Sequence, residues 1–185
     1  MKKITISMLL VALCSFAYAQ KTDSLSKGVL GNNEFKINLP LAIAGIPEIN
    51  YERILKDDMS VGVAVLFGLE EDSEYKFGII PNYRIYFGNK KANGFFIEGN
   101  MALITTQERI DYGYLAYTDY APGYEPDLSK RFNTATSFGL GAAAGAKFLT
   151  KNGFVGEIFA GVGRLFGNSY VEAYPRAGIT IGKRF

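Results

Sequence analysis

From residue 34 onward the chain alternates apolar and polar side chains with a period of two. In segment 34–43, Phe35, Ile37, Leu39, Leu41 and Ile43 share one face, and Glu34, Lys36, Asn38, Pro40 and Ala42 the other. A period of two belongs to β-strands, whose successive side chains point to opposite faces. Eight such segments can be marked, at 34–43, 47–55, 59–69, 76–87, 95–106, 134–149, 154–166 and 173–185. In the fourth, Phe77, Ile79, Pro81, Tyr83, Ile85 and Phe87 oppose Lys76, Gly78, Ile80, Asn82, Arg84 and Tyr86. In the last, Pro175, Ala177, Ile179, Ile181 and Phe185 oppose Arg176, Gly178, Thr180, Gly182 and Arg184. Most segments exceed the usual strand length of about five or six residues.

The N-terminus follows a different rule. Lys2 and Lys3 precede an apolar stretch ending at Leu13, and Ala17, Tyr18 and Ala19 form a small–x–small tripeptide. These are the three regions of a secretory signal peptide, so residues 1–19 are expected to be removed and Gln20 to begin the mature chain. The apolar stretch is shorter than the roughly 20 residues of a spanning helix. Acylation of Cys14 is the competing reading, and Leu13 stands where a lipoprotein signal wants a small residue. Residues 20–33 are read as a lead segment and 34–185 as one domain. Without residues 1–19 the chain has no cysteine, which excludes a disulfide framework and thiol chemistry. There are 18 acidic and 20 basic residues; Lys2 and Lys3 leave with the signal, so 18 face 18. A balanced chain offers no electrostatic case for nucleic acid.

After Leu13 no apolar run is long enough to span a membrane as a helix, and the other permitted spanning structure is a closed barrel. Apolar-out, polar-in alternation is the barrel pattern. The connections agree with it: those at 56–58, 88–94 and 150–153 are short and polar, while those at 70–75, 107–133 and 167–172 would lie at the opposite end and are mostly longer. The connection at 44–46 is short and apolar, an exception. The chain stops on Phe185 after an outward row of Ile179 and Ile181, interrupted by Lys183. This resembles the terminal strand of bacterial outer-membrane barrels, which ends in an aromatic residue read by the barrel assembly machinery. The mature chain as a whole resembles the small outer-membrane β-barrel families common in Bacteroidota, of the same general shape as the transmembrane domain of outer-membrane protein A. The resemblance implies an all-β, eight-stranded, antiparallel up-and-down transmembrane barrel in contact with outer-membrane lipid and lipopolysaccharide.

Strand parity selects candidate site residues. Lys36, Glu48, Asn50, Glu52, Arg84, Glu98, Asn100, Lys147, Glu157, Arg176 and Arg184 all fall on the inward face. An eight-stranded barrel is just wide enough to be filled by side chains, and charges withdrawn from water persist only when paired. The expected arrangement is a lumen plugged by ion pairs: Glu52, Glu98 and Glu157 around Arg84 at mid-height, with Arg176 near Glu48 further along. The alternative is a narrow gated path for ions or small solutes. The connection 107–133 carries Tyr112, Tyr114, Tyr117, Tyr120 and Tyr124, the residue type of contact surfaces. It is a candidate surface-ligand site or, more plainly, an extension of the flanking hairpin. The acidic run Glu70, Glu71, Asp72, Ser73 and Glu74 lacks the spacing of a calcium loop and reads as a solvated tip.

The chain has no histidine, which removes the usual general base and zinc ligands. Glu48 and Glu52 share a face with several basic residues and read as ion-pair partners. No catalytic residue, metal or cofactor is assigned. Gly139 and Gly141, like Gly161 and Gly163, lie inside strands with no following helix, so they are not phosphate loops. A third class stays open: a soluble periplasmic lipocalin-like barrel holding an apolar ligand, with the faces reversed. Alternation by itself does not tell inside from outside.

Overall fold

The computed structural model describes residues 31–109, 132–167 and 171–185. They form a closed, all-antiparallel barrel of eight staves. The strands are β1 (Asn33–Asn38), β2 (Glu48–Lys56), β3 (Met59–Phe67), β4 (Tyr75–Phe87), β5 (Gly94–Arg109), β6 (Phe132–Leu149), β7 (Phe154–Phe166), β8 (Ala173–Pro175) and β9 (Gly178–Arg184). Each of β1 to β7 pairs with its sequence neighbour. β8 and β9 are two parts of the eighth stave. Both lie against β7, and the register passes the break without slipping: Val162 opposes Pro175 and Phe159 opposes Gly178. β9 closes the ring on β1, from Glu34 opposite Arg184 to Asn38 opposite Thr180.

Two expectations for the ends of the chain's strands need correction. The first segment is not a strand to Ile43. It ends at Asn38, and Leu39–Ile43 form a short helix, α1, with Pro40 in its first turn. Proline has no N–H for a ladder, and its fixed φ suits the start of a helix. Leu39, Leu41 and Ile43 therefore do not continue the row of Phe35 and Ile37. The last segment is likewise broken between Pro175 and Gly178.

The connection after β5 is shorter than 107–133. Three further rungs, Gln107 with Thr134, Glu108 with Asn133 and Arg109 with Phe132, lengthen the hairpin. Residues 110–131, with all five tyrosines, lie outside the described residues, as do residues 1–30. Smaller shifts occur elsewhere: β3 stops at Phe67, and β4 begins at Tyr75.

Both β1 and β9 meet at one end of the barrel, here called the near end; α1 marks the far end. The near end is tightly closed. Asp57 and Asp58 join β2 to β3, and their carbonyls accept from Ala92 N (2.7 Å) and Tyr86 N (2.8 Å). Ala92 is fully buried there, at a φ of 39°.

The wall has a clear sidedness. Phe35, Ile37, Val61, Ile79, Tyr83, Ile85, Ile97, Met101, Leu103, Leu140, Ile158, Ile179 and Ile181 face outward and are exposed, while the polar row is buried inside. The inner face is not uniformly polar. Toward the far end Ala64, Leu66, Ile80, Ala102, Ile104, Leu165 and Tyr174 pack together, with Ile46, Tyr75 and Val171 against them. A second cluster, Ile54, Tyr86, Ala92, Phe96, Ala143 and Phe159, fills the nearer half. Tyr174 fits only because its cross-strand partner is bare: a Cβ on Gly163 would stand 2.1 Å from the Tyr174 ring.

Candidate functional site: the charged lumen

Ten ionisable side chains are buried in the barrel: Glu34, Glu48, Glu52, Glu98 and Glu157 against Lys36, Arg84, Lys147, Arg176 and Arg184. Five negative charges meet five positive ones. None is more than 3% exposed, so each depends on the others rather than on water. Alternation on seven of the eight staves brings them together, because every one occupies an inward position of its stave.

They form a single connected lattice along the barrel axis. At the near end the Arg184 guanidinium binds Glu34 (Nε to Oε1, 2.7 Å) and donates to the main-chain oxygens of Lys91 and Ala92 at 3.0 and 2.9 Å. Glu34 also takes Lys147 Nζ at 2.7 Å and Lys36 Nζ at 3.2 Å. The two ammonium groups continue to Glu157, Lys36 at 2.6 Å and Lys147 at 3.1 Å. Both also bind Glu52, whose second partner Lys147 lies at 2.8 Å. Tyr86 Oη donates to Glu52 at 2.5 Å, and Thr180 Oγ1 to Glu157 at 3.2 Å.

Arg84 stands at the centre. It contacts Glu52 at 2.9 Å, Glu98 at 2.8 Å and Glu157 at 3.1 Å, and its guanidinium lies 4.5 Å from the Phe96 ring centroid. Glu98 hands the lattice on to Arg176 at 2.8 Å, which pairs with Glu48 at 2.9 Å and stacks on Phe159 at 4.9 Å. Asn50 and Asn100 donate to Glu48 (2.8 Å) and Glu98 (3.1 Å), and Tyr174 Oη donates to Asn100 at 2.6 Å.

The inward candidates read from parity are thus all buried in one network. Glu34 belongs to it as well and was not singled out, although it shares the face of Lys36. The apolar layers were also missed. Their signal was present: Phe96, Ala102 and Ile104 have the parity of Glu98, and Val155, Phe159 and Leu165 that of Glu157.

Glu34, Glu52 and Glu157 bring carboxylate oxygens within 4.8 Å of one another, a spacing that suits a cation. The ammonium groups of Lys36 and Lys147 already stand among them. Chemically, the lattice is balanced in charge and hydrogen-bonded, with apolar side chains of the nearer cluster set among its members.

The acidic connection after β3 is tied to its own main chain: Lys76 Nζ donates to the carbonyls of Glu70 and Glu71 at 3.0 and 3.3 Å. Comparison with protein-family models, curated proteins and solved structures returns no match.

Proposed function

We propose that the protein is an outer-membrane β-barrel, exported through its signal peptide, with a plugged lumen and a structural or surface-interaction role. One observation carries this reading: the outward face is an uncharged apolar band with an outward-facing basic side chain at each edge. Arg53 and Lys183 face outward at the near end, and Arg164 faces outward toward the far end. Lys183 lies opposite Phe154 on β7, and Arg164 is ten positions further along that strand. At about 3.3 Å per residue and a tilt near 40°, that separation is roughly 25 Å along the axis, the height of the lipid-facing band of such barrels. Long basic side chains at both edges of an apolar surface can reach phosphates while their stems stay in hydrocarbon.

Aromatic rings mark the same two levels. Phe35, Phe87, Phe95, Phe148, Phe154 and Phe185 are exposed toward the near end, and Phe77, Phe138 and Phe166 toward the far end. Phe87 and Phe95 lie 5.9 Å apart across their strands, and Phe138 and Phe166 stack at 6.4 Å. Aromatic girdles flank the apolar band of outer-membrane barrels. A lipocalin-like carrier needs an apolar cavity and a polar exterior. Ten interior charges and the apolar outer wall weigh against it.

The lattice favours a plug over a channel, since every buried charge is held by at least one partner of opposite sign and apolar layers adjoin it. The family resemblance points the same way and implies recruitment by the barrel assembly machinery. The test is fractionation followed by electrophoresis. The protein is expected in the outer-membrane fraction, migrating faster unheated than boiled. Recovery as a soluble protein from periplasmic extract would overturn the membrane reading. In planar bilayers the purified protein is expected to show no steady openings; openings that change in Arg84→Gln would instead support the channel.

A further inference from the structure

The far half of the wall lacks part of a stave. β1 ends at Asn38, while its neighbours continue: Pro47 O and Gly45 O still bind β3 and its extension, and Glu172 O still binds Leu165 N on β7. α1 turns aside at the opening and packs against β9 without burying any residue. Among the described residues the eighth stave therefore has an edge without a ladder partner. Arg176 N points to Gly161 O on β7, so by alternation Ala173, Pro175 and Ala177 present their main chains to the opening. Among the described residues, the contact across it is made by a side chain. Asn38 Nδ2 donates to Ala177 O at 3.2 Å and to Glu48 at 3.3 Å, while Asn38 Oδ1, buried, has no partner.

In hydrocarbon an open sheet edge is costly. The exposed side chains of Ala173, Pro175 and Ala177 are small, leaving a shallow floor between α1, with Ile43 80% exposed, and the outward row of Val162 and Arg164 on β7. Arg164 is directly opposite Ala173, at the far rim. It makes no ion pair among the described residues, and its guanidinium lies 5.9 Å from the Phe166 ring centroid.

We propose that this opening seats one phosphate-bearing, acylated lipid, with its phosphate at Arg164 and the Ala173 N–H and one chain lying over Pro175 and Ala177 toward Ile179. The proposal rests on the membrane reading above. From Ala173 to Ile179 is roughly 15 Å along the axis, about one leaflet of the apolar band. Among the described residues Arg164 makes no ion pair, and an Arg side chain on the strand next to the Ala173 N–H suits a phosphate. A strand from a second copy fits less well, because Pro175 has no N–H to offer in the middle of the edge.

The test uses the full-length mature protein, purified from membranes in mild detergent, delipidated and titrated with dipalmitoyl phosphatidic acid under native mass spectrometry. One lipid per barrel is expected, with dipalmitoylglycerol, which lacks the phosphate, held about tenfold more weakly and inorganic phosphate not retained. Arg164→Gln should weaken retention about tenfold, Ala177→Trp should remove it by filling the floor, and Lys183→Gln at the other rim should leave it unchanged. Equal retention by native protein and Arg164→Gln overturns the proposal, as does an equal loss in Lys183→Gln. A lipid-free dimer would assign the edge to a second copy. If Ala177→Trp fails to insert, Arg164→Gln and the phosphate-free lipid still decide. A barrel that inserts and migrates heat-modifiably yet retains no phosphatidic acid sinks this site alone, whereas a water-soluble protein sinks the membrane reading.

Discussion

Arg84 shows why individual residues in this lumen are not interchangeable. Its guanidinium is shared by three carboxylates and a ring face, all out of water. Removing one partner of a buried ion pair strands the other, at about 3–5 kcal/mol. Arg84→Gln is expected to lose stability on that scale, measured as guanidinium unfolding of the micelle-bound barrel. Arg84→Gln with Glu98→Gln should cost less than the two single changes added, because they share one network. Gly163 is constrained differently. Alanine there would drive its methyl into Tyr174, so Gly163→Ala should cost about 1–3 kcal/mol, partly recovered in the double variant with Tyr174→Leu. Neither effect could be read from the sequence, where Gly163 looks like any strand glycine.

Between neighbouring staves, the ladder of β1 with β9 is the short one, five paired positions from Glu34 to Asn38, whereas β5 and β6 pair from Gly94 to Arg109. Side chains reinforce the short seam from inside: Arg184 to Glu34, Lys36 to Glu157, and Asn38 to Ala177 O. Asn38→Ala is expected to cost about 1–2 kcal/mol. Amide exchange at Ile37 and Ile181 should quicken, with Ile97 and Ala144 on the long ladder unchanged. Exchange that rises equally in both ladders would show that Asn38 does not brace this seam. The sequence carried the strand pattern here but misjudged its reach: apolar Leu39, Leu41 and Ile43 keep the right parity, and only Pro40 hinted that the ladder ended.

At the level of the molecule, two outward glycines offer a controlled probe of what surrounds the barrel. A side chain added at Gly99 or Gly156 meets nothing within 4 Å, so substitution tests the environment rather than the packing. Gly156 lies two positions from Phe154 at the near rim, and Gly99 midway between Phe95 and Leu103. In a bilayer, Gly99→Arg should cost about 2–4 kcal/mol and Gly156→Arg about 0–1, read from unfolding in lipid vesicles. Equal, small effects at both would indicate water on the outer wall.

Read on its own, the sequence determined the strand class, the number of staves and which residues, the ten charges among them, share a face. All of these follow from a period of two, a local property written into consecutive residues. Which face turned inward, partner choice across the lumen, the apolar clusters among and beyond the charges, the room left at Gly163 and the missing length of the first stave were decided by the closed ring. Shear and closure set which inward residues from distant staves stand at one height, and no local pattern records that.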